Sequence, residues 1–184
     1  MFAGCGTDPS SDPTACHKAL WQGIFIEVDP LTFTFLLGRL GRLTDSMTTD
    51  ICAEAATTPA EIRVLAYLVH APEHTARPSD VARFVVQTSG GLTATLSRLE
   101  SAGLVERRPD PSDGRGKLIV LSGDGRRLHD TVITRLTGAT AAAVIDLDLD
   151  DVGTHVRDLI IALERATGLP ASASFVASLL GAHA

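Results

Sequence analysis

The spacing of apolar positions between residues 31 and 163 predicts six helices interrupted by one short β-hairpin. The first helix is expected from about Leu31 to Ala55, because apolar residues recur there at helical spacing, at Leu36, Leu40, Leu43 and Met47. The second begins at Thr58, which can cap it, with Pro59 in its first turn and Glu61 completing a capping box. Its buried face is predicted to contain Ile62, Leu65, Leu68 and Val69.

Two short helices are expected next, joined by a tight connection near Gln87. Pro78 opens the first of them, which contains Val81, Ala82 and Val85. Thr88 or Ser89 caps the second, and Gly103 is placed to end it. The buried stripe of this second helix is predicted to be Leu92, Leu96 and Leu99.

A β-hairpin is predicted directly after these helices. Its strands are expected at Leu104–Arg108 and Lys117–Leu121, and the turn-forming residues Pro109–Gly116 make an exposed, charged tip. The order of elements, a helix-turn-helix followed by a hairpin, indicates a mainly α fold with a small β-hairpin wing, the winged helix-turn-helix. A helix of this kind fits the major groove of DNA, and a hairpin beside it can reach the backbone or the minor groove.

The C-terminal part is predicted to be helical. Ser122 can cap a fifth helix that runs to about Ile145, with Leu128, Val132 and Leu136 facing inward. Leu147–Asp150 interrupts the pattern, and a sixth helix follows with the apolar stripe Val152, Val156, Leu159, Ile160 and Leu163. A short helix is expected after Pro170, whereas residues 1–18 show no periodicity and are predicted to be a flexible tail.

The charge distribution is uneven, although the chain carries a net charge of -6. Residues 77–135 contain ten basic and seven acidic side chains, against six basic and fifteen acidic ones elsewhere. A locally basic segment in an acidic chain is typical of a protein that touches phosphate with one surface only.

Other function classes find little support in the residues. The three cysteines are an odd number without a Cys-x-x-Cys pair, so they predict no disulfide framework. Cys16 is either an oxidant-sensing thiol or, the preferred interpretation, an inert one. His70 and His74 have the spacing of metal ligands, but Pro72 lies between them and no third ligand is near. No catalytic set or membrane-length apolar run is present, so a cytoplasmic, non-enzymatic protein without metal or cofactor is expected.

Three segments resemble the multiple-antibiotic-resistance regulator (MarR) family. Residues 96–107 are similar to that family's recognition helix leading into the wing, and residues 110–117 to its wing tip, with the Asp-x-Arg pair at Asp113 and Arg115. Residues 120–125 resemble the Val-x-Leu-Thr-x-x-Gly that comes next in the family, with Ser122 in place of threonine. The resemblance covers roughly residues 57–130 and implies a bacterial, ligand-responsive repressor that binds DNA.

The resemblance also implies which residues bind DNA. Ser89, Thr93 and Arg98 would face the groove, Arg115 would enter the minor groove, and Asp113 would brace the wing tip. Thr88 and the helix N-terminus would meet phosphate. Gly90 would allow the close approach of backbones. Further candidates for phosphate contact are Arg107, Arg108 and Lys117.

Two of these assignments leave alternatives open. Arg107 and Arg108 could instead solvate an edge strand, and Arg98 could pair with Glu100 or Asp110 rather than with DNA. The whole fold could also serve as a protein-interaction module without DNA binding.

The resemblance implies a homodimer with four regions along each chain. These are a flexible tail at 1–18, an N-terminal dimerisation region at 19–56, the winged domain at 57–122 and C-terminal dimerisation helices at 123–184. The dimer would bind a pseudo-palindromic double-stranded operator. A small amphipathic effector of unknown identity would bind in a pocket that Trp21, Phe25 and Phe35 could line, although core packing is the preferred interpretation for most of these aromatic residues.

Overall fold

The structure is a computed structural model that describes residues 29–85 and 88–168. The side chains of Ser89 and Arg115 lie outside this description, as do the predicted tail at 1–18, Cys16 and the helix expected after Pro170. The chain divides into two compact units, Met1–Leu43 and Thr44–Ala184. The first helix is shared between them, and the whole predicted winged domain lies in the second unit.

The elements have the predicted order of helices and wing. The helices are α1 (Pro30–Glu54), α2 (Pro59–His70), α3 (Pro78–Val85), α4 (Ser89–Ser101), α5 (Gly123–Ala143) and α6 (Leu149–Thr167). The strands are β1 (Thr75–Ala76), β2 (Val105–Asp110) and β3 (Asp113–Leu121). They form an antiparallel sheet in the order β1-β3-β2, which places β3 in the centre. The winged helix-turn-helix fold predicted from the sequence is confirmed.

Local capping explains why the helices begin where they do. Thr58 and Glu61 form the predicted capping box of α2, with the Glu61 N–H donating to the Thr58 hydroxyl at 3.3 Å. The Thr88 hydroxyl accepts from the Gly91 N–H at 3.2 Å, so Thr88 rather than Ser89 caps α4. The Ser122 hydroxyl accepts from Gly125 in the same way at 3.0 Å.

Some predicted boundaries were wrong. The strands of the wing extend to Asp110 and start again at Asp113, so the connection is much shorter than the predicted loop of residues 109–116. The turn-forming residues do not make a long loop; they form a bulge in the pairing of β2 with β3, where the register shifts between Pro109 and Asp110. α5 ends at Ala143 rather than near Ile145, and α6 begins at Leu149 because Asp148, predicted to interrupt the helix, is its N-cap.

One strand was missed, and three positions predicted to face the core are only partly buried, namely Val69, Leu128 and Leu136. β1 has only two residues, and it is a strand solely because it pairs with Ile119 and Val120 of β3. On α2 the inner face includes Val64, while Val69 is only partly buried. The predicted stripe of α4 is confirmed, and the fully buried core comprises Cys52, Val64, Leu65, Leu68, Val81, Leu99, Val105, Ile119 and Val132.

The start of α5 packs directly on the chain that leaves α4. Gly125 lies so close to the Leu104 carbonyl oxygen that an added Cβ would overlap it, and Leu121 Cδ1 would be 3.0 Å away. The Ser122 hydroxyl donates to the Gly103 carbonyl at 2.7 Å. Gly103 itself has a φ of 70°, which favours glycine at the end of a helix. These contacts hold α5, the end of α4 and the base of the wing together.

Candidate nucleic-acid interface

Helix α4 has one face in the core and the opposite face in solvent. Leu92, Leu96 and Leu99 are buried, whereas Gly90, Thr93, Ala94 and Ser97 are exposed. Thr95 is also buried, and its hydroxyl donates to the Gly91 carbonyl at 3.0 Å. The predicted binding positions Gly90 and Thr93 are therefore on the outer face, and the structure adds Ser97 to them. Ser97 could have been found from its position four residues after Thr93.

Gly90 has no packing role within the described residues. A Cβ added there would meet no heavy atom within 4 Å. At Gly91 the added Cβ would be 3.2 Å from the Thr88 hydroxyl, which is tight against the cap. The absence of a side chain at Gly90 is thus not needed for the fold and leaves room outside the helix for another molecule.

Arg98 forms an ion pair with Glu61 of α2, a partner that the sequence did not predict. Its Nε donates to Glu61 Oε1 at 2.9 Å, and its Nη2 donates to the Thr95 hydroxyl at 3.3 Å. The other carboxylate oxygen of Glu61 accepts from the Thr57 hydroxyl and the Thr58 N–H, both at 3.0 Å. Neither Glu100 nor Asp110, the two alternative partners, makes this contact. The guanidinium remains about half exposed, with 54% of the side chain accessible.

The ionised form of Glu61 is favoured by this network. Burial alone would raise the pKa of the Glu61 carboxyl, but hydrogen bonds from Arg98, Thr57 and Thr58 outweigh burial and lower the pKa. Through Arg98, the Glu61 carboxylate thus links α2 to α4, in addition to the buried leucines that hold α4 against the core.

Arg107 and Arg108 point to opposite faces of the sheet, because neighbouring side chains alternate along a strand. Arg107 pairs with Glu100 at 3.2 Å and donates to the Ser97 hydroxyl at 3.4 Å, so it lies against α4. Arg108 pairs with Glu106 at 2.9 Å on the exposed edge strand. Because their side chains lie on opposite faces of the sheet, Arg107 and Arg108 cannot both contact the same bound DNA in the same way. Of the two, Arg107 lies beside the outer face of α4.

The wing contains a bulge at its tip. Asp110 pairs with Asp113, yet Pro109 pairs with Lys117, so Gly114, Arg115 and Gly116 have no partner residues on β2. Lys117 and Asp113 are exposed beside this bulge. The backbone of Arg115 thus lies in the centre of the bulge, between two glycines, while its side chain is outside the described part of the structure.

The base of this bulge is tied to the start of α3. Arg77, the residue before α3, donates from Nε to Asp110 Oδ2 at 2.8 Å and from Nη2 to the Ser112 hydroxyl at 2.7 Å. The Ser112 N–H and hydroxyl both donate to Asp110 Oδ1, at 2.9 and 2.7 Å. These hydrogen bonds from Ser112, and then from Arg77, hold the pKa of Asp110 below its usual range against the opposing effect of burial. The sequence did not predict this cluster of Arg77, Asp110 and Ser112, which we call the wing clamp.

The effector residues predicted from the sequence are only partly described. Phe35 is exposed on α1, whereas Trp21 and Phe25 lie outside the described residues. The structure therefore does not test whether these three aromatic residues line a ligand pocket. They stay a prediction.

His70, His74 and Cys52 are part of the packing around α2. The Arg126 guanidinium of α5 contacts the His74 ring at 3.1 Å from Nδ1. Burial lowers the pKa of His70, and the charges of His129 and Arg126 lower it further. Within residues 29–85 and 88–168, no group of three or more His, Cys, Asp or Glu side chains could hold a metal. Cys52 is fully buried, and burial raises the pKa of its thiol.

None of the helices that the structure describes is both long and apolar enough to span a membrane.

Comparison with known families and structures gives a consistent result. The sequence model of the MarR family matches residues 57–116, which include α2 to the wing bulge. A search of curated proteins found no match.

Solved structures resemble a larger part of the chain. CouR from Rhodococcus jostii, in a structure bound to p-coumaroyl-CoA, is 27% identical, with a TM-score of 0.65 over 71% of this chain and 90% of that one. The apo form of MarR from E. coli is 26% identical, with a TM-score of 0.59 over 78% of this chain and 100% of that one. A MarR family regulator from Streptomyces coelicolor, in complex with DNA, is 21% identical, with a TM-score of 0.65 over 82% of this chain and 94% of that one.

The matched segment coincides with the helix-turn-helix and the wing, and the fold extends the similarity over most of the described helices. The winged helix-turn-helix segment at residues 57–116 therefore matches the MarR family, and the fold of the chain resembles that of MarR itself.

Proposed function

We propose that this protein is a transcription regulator that binds double-stranded DNA in a sequence-specific manner, as a homodimer on a pseudo-palindromic operator. One observation carries the proposal: α4 buries its apolar stripe and exposes a face of small and polar residues directly beside a hairpin with a bulge at its tip. A helix with such a face fits the major groove, and the bulge reaches the neighbouring minor groove. The DNA complex of the Streptomyces coelicolor relative supports this use of the fold.

The start of α4 is suited to phosphate. The Thr88 hydroxyl accepts a hydrogen bond from one N–H group of the first turn, that of Gly91. The helix dipole makes this end of α4 partly positive. Lys117 and Arg107 add basic groups near the wing and the outer face of α4. Positioning contacts would thus come from the helix end and the basic side chains, and base contacts from Thr93 and Ser97.

A second copy of this chain is proposed to cover the exposed apolar side chains of α6. Val152, Val156, Ile160 and Leu163 recur at helical spacing and remain substantially exposed in the single chain. The two winged domains of such a dimer would bind half-sites about one helical turn apart, roughly 34 Å. Sedimentation equilibrium is expected to give twice the mass of one chain, and a monomer at micromolar concentration would contradict the dimer.

A small amphipathic effector is proposed to release the DNA, so that the protein acts as a repressor. The structure of CouR with p-coumaroyl-CoA supports ligand binding by a protein of this fold. Phe35, Trp21 and Phe25 are the candidate contacts for such a ligand. Release of a bound operator duplex on addition of candidate small molecules would identify the effector.

The experiment that tests the function is fluorescence anisotropy with the duplex upstream of the protein's own gene. A scrambled duplex serves as competitor, at two salt concentrations. Tight binding that resists the competitor and weakens steeply with salt is expected, because phosphate contacts release counterions. A flat dependence on salt, or no binding at low salt, would instead favour a protein-interaction module. That alternative draws on the finding that Arg98, Arg107 and Arg108 each already pair with a carboxylate.

Replacing Arg115 is expected to weaken DNA binding without unfolding the protein. An arginine in the minor groove gains from concentrated negative potential, so Arg115→Ala should cost about 1–3 kcal/mol of binding free energy. The same anisotropy titration measures the loss, and circular dichroism checks the fold. Arg83→Ala, an exposed position on α3 outside the predicted set, is the matched control. Unchanged affinity of Arg115→Ala for the operator would contradict the role of the wing.

A further inference from the structure

The wing clamp connects two parts of the domain that are distant in sequence. Arg77 lies 33 positions before Asp110, yet their side chains meet at 2.8 Å. The Asp110 side chain is only 5% accessible, and each of its oxygens accepts at least one hydrogen bond from Arg77 or Ser112. A buried carboxylate satisfied in this way has one strongly preferred position. The clamp therefore fixes Asp110 relative to α3.

Asp110 is also the residue at which the bulge closes. It pairs with Asp113 on one side of the irregularity, and the regular ladder resumes at Pro109 and Lys117. Gly116 packs into the same corner, since a Cβ added there would lie 3.1 Å from the Asp110 Cβ and 3.0 Å from that of Asp113. The backbone of residues 114–116 is thus anchored at Asp110, which is anchored in turn at Arg77.

We propose that Arg77 and Asp110 are positioning residues that hold the wing bulge, and with it the backbone of Arg115, in the place required for contact with DNA. The inference rests on the proposed function. Arg77 acts here through Asp110 and the bulge, and not by touching phosphate itself. Likewise Asp110, an acidic residue next to a polyanion, favours binding because of what it holds in place.

Because Asp110 is negatively charged, the positioning role and a purely electrostatic effect predict opposite changes in DNA affinity when the charge is removed. Removing a negative charge near DNA should strengthen binding if only the field matters. Asp110→Asn removes the charge that holds Arg77 and keeps nearly the same shape. If the clamp positions the wing, this variant is expected to bind the operator about three- to tenfold more weakly. Its loss of affinity should not exceed that of Arg115→Ala. Glu106→Gln is the matched control, because it removes the same charge from an exposed pair on the same strand. Its affinity is expected to be unchanged or higher.

A double-mutant comparison separates positioning from direct contact. Arg77→Met keeps most of the aliphatic stem of an exposed side chain and removes its donors, so it is expected to fold. If Arg77 acts through the wing, Arg77→Met and Asp110→Asn each weaken binding in the wild-type background and have no further effect in an Arg115→Ala background. Effects that persist undiminished in that background would overturn the inference.

Hydrogen exchange of the free protein gives a readout that does not depend on DNA. Asp110→Asn and Arg77→Met are expected to speed amide exchange at residues 113–117 and to leave the core amides of α2 unchanged. Unchanged exchange in the wing would overturn the inference. Wild-type protein that fails to bind the duplex overturns the proposed function and this inference with it. Wild-type binding with unaltered affinity in both variants overturns the inference alone.

Discussion

Replacing Gly125 by alanine is expected to destabilise the protein by about 3 kcal/mol, because a new methyl group would overpack a closed contact. The Cβ would overlap the Leu104 carbonyl oxygen and press on Leu121 Cδ1, 3.0 Å away. Neither neighbour can move freely: Leu104 belongs to the connection from α4 to the wing, and its carbonyl accepts from the Ser122 N–H at 3.1 Å. α5 would have to shift away from the winged domain.

Thermal unfolding monitored by circular dichroism measures this effect. For a chain of this size the loss corresponds to a lowering of Tm by roughly 6–12 °C. Gly138→Ala is the matched control on the same helix, since a Cβ there would meet nothing within 4 Å. That control should be stabilised by up to about 1 kcal/mol, because alanine is the better helix former. Equal Tm changes in the two variants would show that the contact with Leu104 is not rigid.

Replacing Glu61 by alanine is expected to cost about 2 kcal/mol of stability, the next largest effect. The substitution removes the capping box of α2 and leaves the Thr58 N–H and the Thr57 hydroxyl without their acceptor. It also removes the partner of Arg98, although this contribution is reduced because the arginine is half exposed and can turn to water. Chemical denaturation of Glu61→Ala, Arg98→Ala and the double variant measures how much of the loss belongs to the pair.

The contribution of Glu61 is also expected to depend on pH. Its pKa is lower in the folded protein than in the unfolded chain, so the stabilisation is complete above the ordinary glutamate pKa of about 4.3. It is lost as the pH falls from there through the lowered pKa. The stability difference between wild type and Glu61→Gln should therefore shrink over this acidic range and stay constant at neutral pH. A difference that grows on acidification would contradict the direction of the pKa shift.

Much of the candidate site could be predicted because its signals are local. Thr88 caps α4 through an N–H three residues ahead, and the spacing of Leu92, Leu96 and Leu99 shows which face is buried. The resemblance to the MarR family implied roles for Gly90 and Thr93 on DNA, and the structure has both on the outer face of α4. The predicted roles of the named residues on DNA remain predictions, including that of Arg115.

The sequence by itself determined the order of the helices, the starts of α2, α4 and α5 and the presence of a wing, because capping and periodicity act within a few residues. Only the tertiary structure decided the partners of the long side chains. Arg98 pairs with Glu61, 37 positions away, and Arg77 pairs with Asp110, 33 positions away. From the sequence alone, carboxylates nearer along the chain were equally plausible partners. β1 exists only through its pairing with β3. Such contacts are set by how α2, α3 and the sheet pack around one core, and no spacing along the chain encodes them.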